Sequence, residues 1–399
     1  MAAEALPHSS QDSPPSSKPL SIARVPELDG IRGLATFSIL AWHYVHRVLL
    51  APEPGTAFAY LKSSLFLSWS GVDLFFVLSG FLIAGILMDN RDTKNYYRLF
   101  YLRRICRTFP LYYLLIAAYL TLSPFYVNYS SSKSWESWET FVWNPAIFIG
   151  SYLTFTQNLS MAFYGGFGAF ALAVTWSLAI EEQFYLLFPI LIRWTPRSLL
   201  PLVLLCGALA APILRTVVPW SYGFFLMPCR IDPLFVGALL AYIFRTPPAL
   251  AFLERHKAGL YPVLAVLLLG TVHTGAYYDK TAFGGLGFTW VALLYAVMIV
   301  IALLRHDSII ARVARTSSLV WLGQVSYGVY LFHLPILDLV HGWVRHRTPT
   351  LDDGEGLILT VGSLIATLVL AQLLHSFVER PIIALGHRLR YMTGTKQTC

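Results

Sequence analysis

The sequence predicts an all-α, polytopic membrane protein: a single bundle of about ten transmembrane helices, with both termini cytosolic. Three observations predict it. Of 399 residues, 56% are hydrophobic and only 13% are charged, about half the ionic share of an ordinary soluble domain. Mean hydropathy is +0.59. Apolar runs of spanning length, about 20 residues, recur along the chain. This composition excludes a soluble enzyme, a nucleic-acid binder and a disordered tail protein. The excess of 29 basic over 21 acidic residues then reads as positive-inside bias.

Residues 1–26 carry the Ser/Pro-rich run SSQDSPPSSKP and no apolar stretch of signal-peptide length, so they are expected to be a disordered cytosolic leader. Spans are expected near 30–50, 64–88, 108–127, 174–194, 199–217, 230–245, 259–277, 286–304, 318–341 and 357–378. This order puts 21 of the 29 Lys and Arg on the inner side and 8 on the outer. The region 141–173 is ambiguous, since no Asp, Glu, Lys or Arg occurs between Thr140 and Ile180. One extra span there would invert everything after it, so it should cross an even number of times or not at all. The sequons at Asn128 and Asn158 would then both face outward. Residues 27–385 are expected to form one membrane domain, and 386–399 a basic cytosolic tail. No fixed-period repeat and no metal-ligand or CxxC spacing is present.

Ionisable side chains inside spans cost a few kcal/mol each, so each needs a partner or a task. Arg32 and His43 are eleven residues apart, which on a helix is about 20° from eclipsed and about 16 Å along the axis. Arg32 falls at the inner mouth and His43 in the outer half. Asp73, Glu181, Glu182 and His333 fall at a similar depth to His43. Such a level suits either a general-base catalytic site or a proton relay in a pump. A carboxylate, Asp73 or Glu181, is expected to orient His43, while Glu182, His333 and Tyr330 are candidates for substrate contact. Arg103, Arg104 and Arg107 lie at the inner end of the third span. With Arg32 they bind lipid phosphate by default, or else the phosphates of a co-substrate. A coenzyme A thioester fits that layout, its flexible arm reaching toward His43.

The pieces resemble a known family. The Arg32-x10-His43 pair in ELDGIRGLATFSILAWHY, followed in order by GVDLFFVLSGFLI, RRICRTFPLYY, TWSLAIEEQFYLLFP and YGVYLFHLPI, is similar to the acyltransferase-3 family of integral membrane acyltransferases. The resemblance spans about residues 25 to 383. It implies transfer of an acyl group, commonly acetyl, from acyl-CoA to an acceptor hydroxyl, with no permanently bound cofactor and no metal. It also implies that Arg32 and His43 are the functional signature, with His43 catalytic, and that Glu181 occupies a characteristic acidic position. Acceptors in the family include saccharides and secondary metabolites. The expected absence of an appended hydrolase-like domain after Pro381 favours a small apolar or amphipathic acceptor such as a terpenoid or polyketide, with a saccharide as the other choice. The partners expected are thus acyl-CoA, a hydroxyl-bearing acceptor and the lipid bilayer, and no nucleic acid. A proton-coupled transporter using the same buried groups is the competing class. A polytopic O-acyltransferase of the other type is a further alternative.

Overall fold

The computed structural model describes residues 25–49, 52–130, 148–276, 285–346 and 348–392; for 123–130 and 274–276 only the backbone is described. Most of the expected leader therefore lies outside the described residues. Helix is the regular structure throughout. In chain order the helices are α1 (Pro26–Ala41), α2 (Ala57–Ser64), α3 (Gly71–Asp89), α4 (Tyr96–Ser130), α5 (Ile149–Leu153), α6 (Gln157–Tyr164), α7 (Thr175–Trp194), α8 (Leu200–Val217) and α9 (Trp220–Phe225). There follow α10 (Asp232–Ile243), α11 (Pro247–Arg255), α12 (Leu260–Ala276), α13 (Gly287–Leu304), α14 (Ile309–Ala314), α15 (Ser317–Gln324), α16 (Ser326–Arg345), α17 (Gly354–Leu374) and α18 (Arg380–Arg388). Two π-helical turns, Trp42–His46 and His375–Glu379, continue α1 and α17.

Every stretch expected to span is largely helical, so the all-α reading holds. Among the described residues five helices are long and apolar enough to cross a bilayer, or up to seven if each of two bent pairs counts as one span. The pairs bend by 97° between α10 and α11 and by 76° between α15 and α16. Helices α1 and α7 fall outside that set. They carry Arg32 in one case and Glu181, Glu182 and Gln183 in the other, and these lower the hydropathy of a span that is otherwise apolar. The protein is an integral, multi-pass membrane protein.

Several boundaries differ from expectation. The first span is not one regular α-helix, because a π-turn begins at Trp42 and re-aims His43 and the residues after it. Helix α4 begins at Tyr96, ahead of the third span's expected start at 108, so Arg103, Arg104 and Arg107 at its inner end sit on the helix itself. The ambiguous region resolves, where described, into the short helices α5 and α6 and a 3-10 turn at Phe170–Leu172. The Asn158 sequon is not presented at the protein surface. Asn158 is buried, and its amide donates to the Phe225 carbonyl at 3.1 Å and pairs with Gln183. The side chain of Asn128 lies outside the described residues. Residues 389–392 pack against the start of α4, with Arg103 donating to the Leu389 carbonyl and Asn95 to that of Arg390.

The basic loops assigned to one side do gather at one end. Arg91 bonds the Thr195 carbonyl at 2.6 Å, Arg245 grips Asp89 through two nitrogens, and Arg315 reaches Glu27 at 3.1 Å. One continuous apolar core joins α1, α3, α4, α7, α8, α10, α13 and α16. Helices α3 and α10 form its tightest seam. A Cβ on Gly80 would overlap the Leu234 carbonyl, and one on Gly237 would overlap that of Val77. Small residues at such crossings replace the hydrophobic drive that lipid cannot supply between helices.

Gly237→Ala should therefore cost about 1–3 kcal/mol by overpacking. It should appear as a lower unfolding midpoint by tryptophan fluorescence in detergent. Gly362→Ala, where an added Cβ meets open space, should leave the midpoint unchanged or raise it.

Candidate active site

Five helices enclose the polar interior. Arg32 from α1, Ser79 and an apolar wall from α3, Arg104, Arg107 and Thr108 from α4, Ser177, Glu181 and Tyr185 from α7, and Ser326, Tyr327 and Tyr330 from α16 line a cavity of about 230 Å³. A wider cavity of about 470 Å³ opens below it. Its wall includes Arg32, Arg103, Arg104, Arg107 and Arg380, together with Asp29, His375, Glu379 and His387. The two share Arg32, Ile86, Arg104 and Arg107. A basic mouth thus leads into a narrower, mostly apolar pocket with a few polar groups.

All four arginines expected to hold a phosphorylated co-substrate line this mouth. Arg32 is fixed by Asp29 at 3.0 Å, and Arg104 lies over the Tyr185 ring at 5.6 Å. Arg103 stands at the rim, over the Tyr391 ring at 5.0 Å. Arg107 lines the mouth and makes no hydrogen bond or ion pair with any described residue.

Tyr330 lines the narrow cavity. Its hydroxyl donates to the Val174 carbonyl at 2.7 Å and meets the Ser177 hydroxyl at 2.5 Å. His333 lies one turn further along α16, with ring centroids 6.0 Å apart. Beyond it stands His43, whose Nδ1 is 3.1 Å from His333 Nε2 and 3.1 Å from the Ile39 carbonyl. The Tyr44 hydroxyl donates to the His333 carbonyl at 2.9 Å and meets Thr367 at 2.9 Å, which ties α16 to the π-turn and α17.

The partners assign the tautomers. His333 Nδ1 faces two backbone carbonyls, Val329 at 3.1 Å and Tyr330 at 2.8 Å. Carbonyls only accept, so this nitrogen carries the proton and Nε2 offers its lone pair. His43 Nδ1, facing that lone pair and a carbonyl, must then donate. His43 Nε2 is left bare, in the protonation state of a general base.

The expectation that a carboxylate orients His43 is corrected here. Neither Asp73 nor Glu181 bonds it; the neutral His333 does. Asp73 is held by Arg230 at 2.7 Å, both side chains fully buried, and Arg230 stacks 3.6 Å above the Phe288 ring. Shared depth along the bundle placed Asp73 beside His43, but helical rotation turns it toward α10. Glu181 instead lines the narrow cavity between Ser79, Tyr185 and Arg104. Glu182 lies outside both cavities, with one buried oxygen lacking a hydrogen-bond partner. His333 touches His43, where its ring can position that imidazole. Tyr330 lines the cavity as expected. Sequence reasoning missed Ser79, Ser177 and Tyr185, since lone hydroxyls in apolar helices give no signal. It left His375, a bonded neighbour of Glu379 at 3.0 Å, unassigned. Among the described residues no three His, Cys, Asp or Glu side chains form a metal-ligand group.

Asp73 should accordingly behave as a structural ion. Asp73→Ala should cost about 3–5 kcal/mol by stranding the Arg230 charge, lowering the unfolding midpoint. Adding Arg230→Met should recover most of the loss, and a destabilisation that persists in the double variant would count against the pairing.

Comparison with known proteins agrees with this layout. A family model described as an acyltransferase domain, that of the acyltransferase-3 family, matches residues 25–376. The chain is 29% identical over 393 residues to the peptidoglycan O-acetyltransferase OatA of Listeria monocytogenes, a match covering 93% of this chain and 58% of that protein. It is 26% identical over 385 residues to the O-acetyltransferase OatA of Staphylococcus aureus, covering 91% of this chain and 58% of that one. The chain thus spans somewhat over half the length of these relatives. No solved structure matches. The transporter alternative gives way to an enzyme, because the residues that suggested a relay fall inside the matched catalytic family: the chain belongs to the acyltransferase-3 family of membrane acyltransferases.

Proposed function

We propose that this chain is an O-acetyltransferase that moves an acetyl group from acetyl-CoA to a hydroxyl of a saccharide. The observation that carries the reading is the bare His43 Nε2, set beyond a cavity whose other end is lined with arginine. The relatives named above, one of them a peptidoglycan enzyme, support a saccharide over the apolar acceptor first expected.

In this reading the donor enters from the cytosolic side, which carries both termini. Arg32, Arg103, Arg104 and Arg107 take its phosphates, because forked guanidinium donors match phosphate oxygens. The acyl-bearing arm lies in the narrow cavity past Glu181 and Tyr185. It reaches the imidazoles once Tyr330 and Ser177 part. His43 Nε2 removes the proton of the acceptor hydroxyl as its oxygen attacks the thioester carbonyl. The new C–O bond forms, the C–S bond breaks, and the sulfur leaves to become the CoA thiol. The proton gained by His43 passes to that sulfur, so acyl-CoA and alcohol yield ester and CoA. As His43 becomes an imidazolium, the His333 lone pair steadies its Nδ1–H. Residues 27–385 make up this catalytic domain, between the leader 1–26 and the basic tail 386–399.

His43→Ala should cut turnover by about 10²–10⁴-fold, the usual contribution of a general base, while detergent unfolding stays near that of the parent. Retained turnover would remove His43 from the mechanism. The donor is tested separately with Arg103→Gln and Arg107→Gln. Each should raise KM for acetyl-CoA by about tenfold or more, as expected for a lost charge-assisted bond, and leave acetylpantetheine, which lacks the nucleotide phosphates, unaffected. An equal effect on both thioesters would rule out the phosphate role.

A further inference from the structure

Part of the wall of the arginine mouth is built by residues that follow the matched family domain, which ends at residue 376. Glu379, Arg380, Ile383, His387 and Tyr391 all line the wide cavity. Arg380, Ile383 and His387 recur at intervals of three and four, so they share one face of α18. The helix packs on α4 beside that helix's arginines. A Cβ on Gly386 would stand 3.3 Å from Cys106 Sγ and 3.8 Å from the Arg103 Cα.

The chain after α18 is tied to the start of α4. Leu389 accepts from the Arg103 guanidinium at 2.8 Å, and Arg390 from the Asn95 amide at 2.9 Å. The Met392 N–H donates to the Asn95 side-chain oxygen at 2.9 Å, and its carbonyl accepts from the Lys94 N–H at 3.3 Å. Between these bonds the Tyr391 ring lies 5.0 Å from the Arg103 guanidinium. Two buried atoms of this pair, Arg103 Nε and the Tyr391 hydroxyl, have no hydrogen-bond partner among the described residues. The two acids on the same wall are engaged elsewhere, Asp29 by Arg32 and Glu379 by His375, each at 3.0 Å.

The cations of the mouth therefore fall into two tiers. Arg32, Arg104 and Arg107 line both cavities, and so stand where the wide one meets the narrow one. Arg103, Arg380, His387 and Tyr391 line the wide cavity alone. A ligand whose reactive arm fills the narrow cavity meets the first tier where that arm begins. Its far end meets the second. In an acyl-CoA thioester the pyrophosphate joins the arm to the nucleoside, and the 3′-phosphate sits on the ribose beyond it.

We propose that α18 and residues 389–392 form a subsite of this mouth, in which Arg380, His387 and Tyr391, together with Arg103, hold the ribose 3′-phosphate of the donor. The inference rests on the acetyl-CoA donor argued above, and adds residues and a ligand group that reading leaves unassigned. A phosphate monoester carries about two negative charges near pH 7 and three strong acceptor oxygens. It suits the place where guanidinium, imidazole and phenol donors gather without a free carboxylate. A phosphate oxygen reaching the Arg103–Tyr391 pair would satisfy two donors that the protein itself leaves unused. The bonds from Asn95 and Arg103 to residues 389–392 hold Tyr391 in place before the ligand arrives, which lowers the ordering cost of binding.

The test measures binding by calorimetry, with the purified full chain in detergent and two thioesters, acetyl-CoA and 3′-dephospho-acetyl-CoA. The parent should bind acetyl-CoA about ten- to a hundredfold more tightly, the worth of one or two charge-assisted bonds. Arg380→Gln and Tyr391→Phe should each weaken acetyl-CoA by about tenfold and leave the dephospho thioester as in the parent. Asn95→Ala, which frees residues 389–392 from outside the cavity wall, should do the same. Arg107→Gln, on the first tier, should weaken both thioesters alike. Adenosine 3′,5′-bisphosphate should displace acetyl-CoA, and phosphatidylglycerol should not. Should Asn95→Ala unfold, the exposed Arg380 variant decides. Equal affinity of the parent for the two thioesters, second-tier variants that weaken both alike, or displacement by phosphatidylglycerol but not by the bisphosphate would overturn the subsite and leave the donor reading standing. A parent that binds neither thioester would overturn both.

Discussion

Two helices far apart in sequence must meet at one hydrogen bond for this chain to hold a usable base: the one between His43 and His333, 290 residues apart. His333 can put its Nδ1 proton only onto backbone carbonyls of its own helix. Its Nε2 therefore accepts, His43 Nδ1 donates, and the far nitrogen of His43 is bare. The helix backbone fixes the tautomer, a role often given to a carboxylate. No net charge is spent on it, which suits a site inside a bilayer where each buried ion is expensive.

The remaining architecture keeps that contact in place. Tyr44 clamps the carbonyl of His333, so the π-turn and α16 cannot slide past one another without breaking a buried bond. The π-turn is itself the device that releases His43 and Arg47 from the regular helical stripe begun by Arg32. On the other flank, the buried acids and arginines of α3, α8 and α10 neutralise one another. Asp73 pairs with Arg230, and Asp232 grips Arg215 through both oxygens at 3.0 and 2.9 Å while accepting from Thr289. These pairs add little net stability, but removing one member strands the other. They brace the wall behind the cavity.

The charge along the pathway is graded. Five arginines line the wide mouth, where a polyanion can be met before it is desolvated. The narrow cavity is apolar on its α3 side and hydroxyl-bearing on its α7 and α16 sides.

The sequence by itself determined the membrane class, the helical segments and the helix on which each functional residue lies. Composition and 20-residue apolar runs are local properties, fixed by the thickness of the bilayer. The Arg32–His43 spacing and the arginine cluster before the third span were legible for the same reason, since depth along a helix is a matter of counting. Only the tertiary structure decided which residues at one depth touch. Rotation about a helix axis and the choice of neighbour depend on packing across the bundle, so Asp73 could not be told from a true partner of His43 by counting. The π-turn, the bends at α10–α11 and α15–α16, and the burial of Asn158 were invisible on the same ground. They arise where backbone and side chains satisfy one another over long sequence distances, and no local pattern records that.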